Sequence, residues 1–198
     1  MILWRVNPPH LPIIDKMDSI NPATFSLKHQ LSQAFANESE AHLRETERGG
    51  MADEIFLLER IRREFYPTLS SRLNAIFCFG NIAYAEKFAK SGWTEAGGVI
   101  VKYDLVNLYR PVFVGDMALT NVISNLRKNW EQFKSKQAPF IKSTLQESLE
   151  LVVHFYWQGK IAGQIGLGEN NSIMETLIDG VAKRILPPPP LEPGHTAL

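Results

Sequence analysis

The sequence predicts an α+β domain, and three observations predict it. Strand-like segments lie at both ends of the ordered pattern, Ile2–Val6 and Met174–Ile178. Helical periodicity separates them, sharpest where Ile55, Leu58, Ile61 and Phe65 share one face. A β-branched run, Val99-Ile100-Val101, and a short apolar stretch, Pro111–Val114, add strands after the first helices.

In chain order, Asn7-Pro8-Pro9 stops the first strand, and Leu27, Leu31 and Phe35 space like one helical face. The polar stretch Ala36–Gly50 reads as a fraying helix or loop, its charge run Glu38–Arg48 as a solvated face. A helix over Ala52–Phe65 stops at Tyr66-Pro67, because the residue before proline is pushed out of the helical region. Leu73–Phe79 reads as a buried strand, Gly80-Asn81 as a turn and Ile82–Lys90 as a helix with Ala85 and Phe88-Ala89 inward. After the strand Val99–Tyr103, Ala118–Phe133 and Thr144–Trp157 are helical in pattern. Gly159–Asn171 is glycine-rich without periodicity and reads as a loop. Asp179-Gly180, between Met174–Ile178 and Val181–Leu186, carries the signature of a hairpin turn. Residues 1–186 form one domain on this reading. Residues 187–198 form a proline-rich tail, disordered or laid along the surface, with a docking motif as the functional alternative.

The bulk numbers exclude some classes. Lys plus Arg and Asp plus Glu both number 21, so the net charge of zero speaks against non-specific nucleic-acid binding. No apolar run approaches the roughly 18 residues of a membrane span, and the N-terminus lacks a signal-peptide pattern, so the expected location is cytoplasmic. The single cysteine, Cys78, rules out an intramolecular disulfide and a multi-cysteine zinc site, and reads as a small core residue. The five histidines show no metal-ligand spacing, so no metal is expected; His154 reads as a satisfied core histidine. Phe155-Tyr156-Trp157 reads as core. Gly163–Gly168 matches neither a phosphate loop nor a dinucleotide fingerprint.

Two charged residues interrupt apolar strand patterns. Arg5 offers a planar fork for phosphate or carboxylate, or else a structural pair with a carboxylate at a strand end. Glu175 could accept from a ribose hydroxyl and stabilise a cationic sugar, or point at solvent. Between them, Ser71 could hydrogen-bond a ligand or serve a turn, and Arg72 could hold a phosphate or pair with Glu64. An early Arg, a middle Ser-Arg and a late Glu point to a cleft for a phosphate-bearing sugar, and so to NAD.

These segments together resemble the ADP-ribosyltransferase-like fold, most closely a poorly characterised bacterial and phage branch. The likeness rests on Leu3-Trp4-Arg5-Val6, Glu59-Arg60-Ile61-Arg62-Arg63-Glu64-Phe65, Pro67, Ser71-Arg72-Leu73, Phe77 and Glu175-Thr176-Leu177-Ile178-Asp179-Gly180, which span most of the chain in order. The resemblance implies a split β-sheet core, two small twisted sheets around an NAD cleft with helices outside. It implies that Arg5 contacts the phosphates or the nicotinamide-side ribose, that Ser71 with Arg72 lines the nicotinamide pocket, and that Glu175 is the catalytic carboxylate. The loop before Glu175 would meet the acceptor. Ile173 stands where arginine-modifying members carry Glu or Gln, which points away from an arginine acceptor. The expected activity is ADP-ribosyl transfer from NAD to a macromolecule, protein rather than nucleic acid, in toxin-like or phage–host conflict. The alternative is a catalytically inactive module of the same fold that binds and inhibits a partner protein.

Overall fold

The computed structural model describes residues 1–7, 18–25, 57–91, 98–134, 139–167 and 172–186. The helical face at Leu27–Phe35, the polar stretch Ala36–Gly50, the first turn of the Ala52–Phe65 helix and the tail from 187 lie outside the described residues.

The chain is mixed α+β, with two antiparallel sheets. The four-stranded sheet places β1 (Ile2–Asn7) beside β4 (Val99–Leu108), then β7 (Gly180–Arg184) and β2 (Ser19–Ile20). The three-stranded sheet places β6 (Met174–Ile178) between β3 (Ile76–Cys78) and β5 (Phe113–Asp116). Among the described residues the helices are α1 (Pro22–Phe25), α2 over residues 57–65, α3 (Ile82–Lys90), α4 (Met117–Lys134) and α5 (Pro139–Trp157). Among the described residues one backbone bridge joins the sheets, where Trp4 N donates to Phe79 O at 2.8 Å and Phe79 N to Trp4 O at 2.7 Å. No further bridge between β1 and β3 is formed among the described residues.

Strand alternation sorts the core into layers. Ile76, Cys78 and Ile178 turn toward β1 and β4 and pack with Leu3, Val101 and Tyr103 between the sheets. Leu177 and Phe113 turn the other way, against Leu58, Ile61, Leu119, Ile123, Val153 and Trp157 of the helices. A smaller cluster gathers Ala85 of α3 with Val6, Phe79, Met117 and Ile173. Phe65, expected on the apolar face of its helix, is 55% exposed, while Leu58 and Ile61 are buried.

Several boundaries move for local reasons. The strand expected at Leu73–Phe79 begins only at Ile76, because residues 72–74 form a turn held by the Ser71 hydroxyl. β4 runs on to Leu108 because it pairs with β1 over Val99–Asp104 and with β7 beyond. Inside the expected Gly159–Asn171 loop, Ala162–Ile165 form a 3₁₀ turn closed by Gly166 at φ 75°. Residues 168–171 of that loop lie outside the described residues.

The expected Asp179-Gly180 hairpin is not formed. β6 and β7 belong to different sheets, so the chain crosses between layers at Asp179. The Asp179 carbonyl accepts from Tyr109 N at 2.7 Å and Arg110 N at 3.3 Å, and its carboxylate pairs with Arg110 at 3.3 Å. Glycine is needed here for close approach rather than for a left-handed turn. A Cβ on Gly180 would collide with the Asn107 carbonyl oxygen and meet Leu108 Cα at 3.1 Å, both backbone atoms of the paired strand. Gly180→Ala is expected to cost about 1–3 kcal/mol, as overpacking against backbone does, read as a lowered urea midpoint with an unchanged m-value.

Cys78 is fully buried between the sheets, and burial pushes its thiol up to about 12 while the Arg5 charge partly offsets this. A raised thiol pKa favours the neutral form in the folded state. This contribution to stability is complete below the unfolded value of 9.0 and is lost as pH climbs toward about 12. Native protein at pH 8 is expected to resist a thiol reagent that labels the urea-unfolded chain within minutes, checked by mass spectrometry.

Candidate functional site

Glu175 sits on the central strand of the three-stranded sheet, opposite Gly115 of β5, and points with Leu177 toward the helices. It is entirely buried. An ionised carboxylate there needs donors, since burial without them costs several kcal/mol or more. Tyr156, from the last turn of α5, donates its hydroxyl to Glu175 Oε1 at 2.6 Å. Arg72 supplies the charge, with Nε 3.2 Å from Oε1 and Nη2 3.5 Å from Oε2. Burial, followed by the Glu175 charge, raises Tyr156 well above the ordinary phenol range and keeps it a donor.

Gly115 makes this contact possible. A Cβ there would stand 2.6 Å from the Tyr156 ring and 2.8 Å from that of Phe113. The bare backbone lets the tyrosine lie across β5 and reach the next strand.

Arg72 leaves a turn closed by the Ser71 carbonyl, which accepts from Asn74 N at 3.2 Å and Ala75 N at 2.7 Å, and braced by side chains. Ser71 Oγ donates to Glu59 Oε2 at 2.7 Å and accepts from Leu73 N and Asn74 N, each at 3.2 Å. Its proton and its acceptor capacity are thus engaged within the protein, the turn role that the sequence left open for it. Ser70 Oγ donates to Pro111 O at 2.9 Å. Glu59 also receives Arg62 Nη2 at 2.8 Å, Arg62 Nε at 3.1 Å and Arg63 Nε at 3.0 Å. Arg62 in turn donates to Leu69 O at 2.9 Å and Pro67 O at 3.3 Å. Burial acts to raise the Glu59 pKa, but the bonds from Arg62, Ser71 and Arg63 and the Arg62 charge leave it below the ordinary value.

Arg5 occupies a different layer. It shares its face of β1 with Leu3 and Asn7, and it feels Cys78 and Tyr103 between the sheets. Its Nη1 donates to Phe77 O at 3.0 Å and its Nε to Asn7 Oδ1 at 3.0 Å. The guanidinium therefore caps a β3 carbonyl close to the Trp4–Phe79 bridge. Burial lowers its pKa, with Cys78 and Tyr103 opposing. Of the residues singled out from the sequence, Arg72 and Glu175 meet directly and Ser71 stands beside them. Arg5 is linked to the group through Phe77, whose carbonyl it holds while Arg72 lies 4.9 Å over the ring centroid. Arg5 faces the inter-sheet layer and Glu175 the helices, so the two do not converge on one face of the sheet. Arg72, for which the sequence offered a phosphate or Glu64, pairs with the Glu175 carboxylate.

Sequence reasoning missed Tyr156, Glu59, Arg62 and Asp116. Tyr156 is core, as expected, but its hydroxyl is aimed at Glu175. Glu59 and Arg62 stand outside the apolar set Ile55, Leu58, Ile61 and Phe65, yet both are under one tenth exposed; their i,i+3 spacing was the available signal. Asp116, immediately before α4, carries the mark of a helix cap. Its Oδ1 accepts from Ala118 N at 2.9 Å, and its Oδ2 from Ala162 N at 2.9 Å and Ser172 Oγ at 2.6 Å. It thereby ties the 3₁₀ turn to the entry of β6. His154, read as a satisfied core histidine, is partly buried with Nδ1 3.1 Å from the Tyr66 hydroxyl.

Among the described residues no group of three or more His, Cys, Asp or Glu is placed to hold a metal ion, and no helix is long and apolar enough to cross a membrane. No family model and no curated protein matches the chain, so the functional reading rests on the sequence and on this geometry.

Proposed function

We propose that this domain cleaves NAD and transfers ADP-ribose to a macromolecular acceptor, protein rather than nucleic acid, in the cytoplasm of a bacterial cell or phage host as part of a toxin-like conflict. The observation that carries the reading is the enclosure of Glu175 by Arg72 and Tyr156, a carboxylate held among donors on the late strand. Two antiparallel sheets touching at one bridge also suit the split β-sheet core that the resemblance implies.

In the proposed reaction the bond from ribose C1′ to nicotinamide breaks, and its electron pair leaves with the ring, which becomes neutral. Glu175 aligns the ribose and stabilises the cationic sugar. The acceptor nucleophile then bonds to C1′ and loses its proton. A dinucleotide phosphate competes with Glu175 for the Arg72 guanidinium, since the fork suits either anion. Arg5 holds β1 against β3 from the inter-sheet side.

The second reading, an inactive module of this fold that binds and inhibits a partner protein, is favoured by the zero exposure of Glu175. Labelled NAD incubated with the protein and a bacterial lysate separates the two, with Glu175→Gln as control. Label in macromolecules and nicotinamide release by the wild type alone support transfer. Absence of both from wild type as well as variant sinks the enzyme reading and directs attention to a partner pull-down.

A further inference from the structure

We infer that Glu59 is a positioning residue of this site: acting through Ser71, it sets the turn from which Arg72 reaches Glu175. The inference depends on the NAD reading only for its catalytic consequence.

Three observations carry it. First, the segment before β3 has no ladder to hold it, since strand pairing starts at Ile76. Besides the backbone bonds that close its turns, side chains anchor the segment to the rest of the domain: Arg62 grips the carbonyls of Pro67 and Leu69, Ser70 is tied to Pro111, and Ser71 spans Glu59 and two turn amides. Second, Glu59 is the hub. Its two oxygens receive four hydrogen bonds, and the 2.7 Å bond from Ser71 is the shortest. Arg62, which grips the turn further upstream, is itself held by Glu59. Third, the contacts of Arg72 with Glu175, at 3.2 and 3.5 Å, are longer than ideal charge-assisted bonds. Arg72 also lies 4.9 Å over the Phe77 ring, and it reaches all of these contacts from the turn that presents its backbone next to Ser71. A shift at Ser71 is therefore a shift of the guanidinium over Glu175. Glu59 touches neither Arg72 nor Glu175 among the bonds described, so it acts on the site through Ser71.

The test follows the side-chain Nε–H signal of Arg72 in ¹⁵N-arginine-labelled full-length protein, assigned by its disappearance in Arg72→Lys. Ser71→Ala removes the link but leaves the Glu59–Arg62 pair in place. It is expected to move the Arg72 signal and cut its protection from hydrogen exchange about tenfold, the loss of one charge-assisted bond. Ser71→Thr, which keeps the hydroxyl, is expected to restore it. Glu59→Gln keeps the shape but removes one acceptor and is expected to act in the same direction. If Glu59→Gln does not fold, the Ser71 pair alone decides. An unchanged Arg72 signal in folded Ser71→Ala overturns the inference, because a merely structural hydroxyl would not be linked to Arg72. Nicotinamide release is read in parallel, and Ser71→Ala is expected to lower it about tenfold. A wild type without NAD turnover removes the NAD reading, while the Arg72 signal still decides whether Glu59 and Ser71 position the guanidinium.

Discussion

Replacing Glu175 by glutamine is expected to lower nicotinamide release about 10²–10³-fold, the scale of losing one preorganised electrostatic stabiliser, while leaving the protein folded. The reason for both outcomes lies in the contacts. Glutamine keeps an oxygen to accept the Tyr156 hydroxyl, so the cross-sheet bond at Oε1 survives. What disappears is the negative charge. Arg72 loses its anionic partner, but its side chain is 12% exposed and can turn toward water rather than remain buried and uncompensated. Tyr156 is raised by burial and also by the Glu175 charge, so the variant phenol is expected to titrate below that of the wild type yet above an ordinary tyrosine. Ultraviolet difference titration, with Tyr156→Phe to identify the signal, measures it. A variant that retains full turnover removes Glu175 from the chemistry.

The largest effect on stability is expected at Glu59. Glu59→Ala strips the counter-charge from Arg62, itself buried, and leaves the Ser71 hydroxyl without its acceptor. Breaking a buried ion pair from one side costs about 3–5 kcal/mol. For a chain of this size that corresponds to a fall in Tm of roughly 10 °C, measurable by calorimetry. Because Glu59 titrates below its ordinary value of 4.5 when folded, its contribution is present above that pH and is lost as pH falls through the lower, folded value. The wild type should therefore lose stability on acidification below about 4.5, and the gap between it and Glu59→Ala should narrow there. Equal acid profiles for the two would contradict the hub role of Glu59.

Much of the fold was legible because periodicity and proline act locally. The boundary at Tyr66-Pro67 depends on a single steric clash, and α2 ends at residue 65 as expected. Ala85 is buried on α3 and Cys78 between the sheets because apolar spacing alone places them. Sheet membership was not legible. Asp179-Gly180 has hairpin chemistry, yet tertiary contacts with Tyr109 and Arg110 direct the chain to another sheet, and no neighbouring residue encodes that. For Glu175 the alternation was readable but the burial of both sheet faces was not, so a solvent-facing reading stayed open that the helices in fact close. The partnership of Arg72 with Glu175 joins residues 103 apart. Local pattern named both residues but could not pair them.

The order of strands governs how the molecule reaches its working form. β6 is central in one sheet and β7 is interior to the other, so a single late segment must thread between β3 and β5 and then between β4 and β2. Neither sheet can close on the residues before it. Such sequence-distant pairings are slow to form, because loop-closure entropy is lost before their contacts are gained. The strand that completes the smaller sheet also carries Glu175. Until that strand is in place Arg72 and Tyr156 lack the carboxylate they surround, so the site cannot assemble before the smaller sheet is complete.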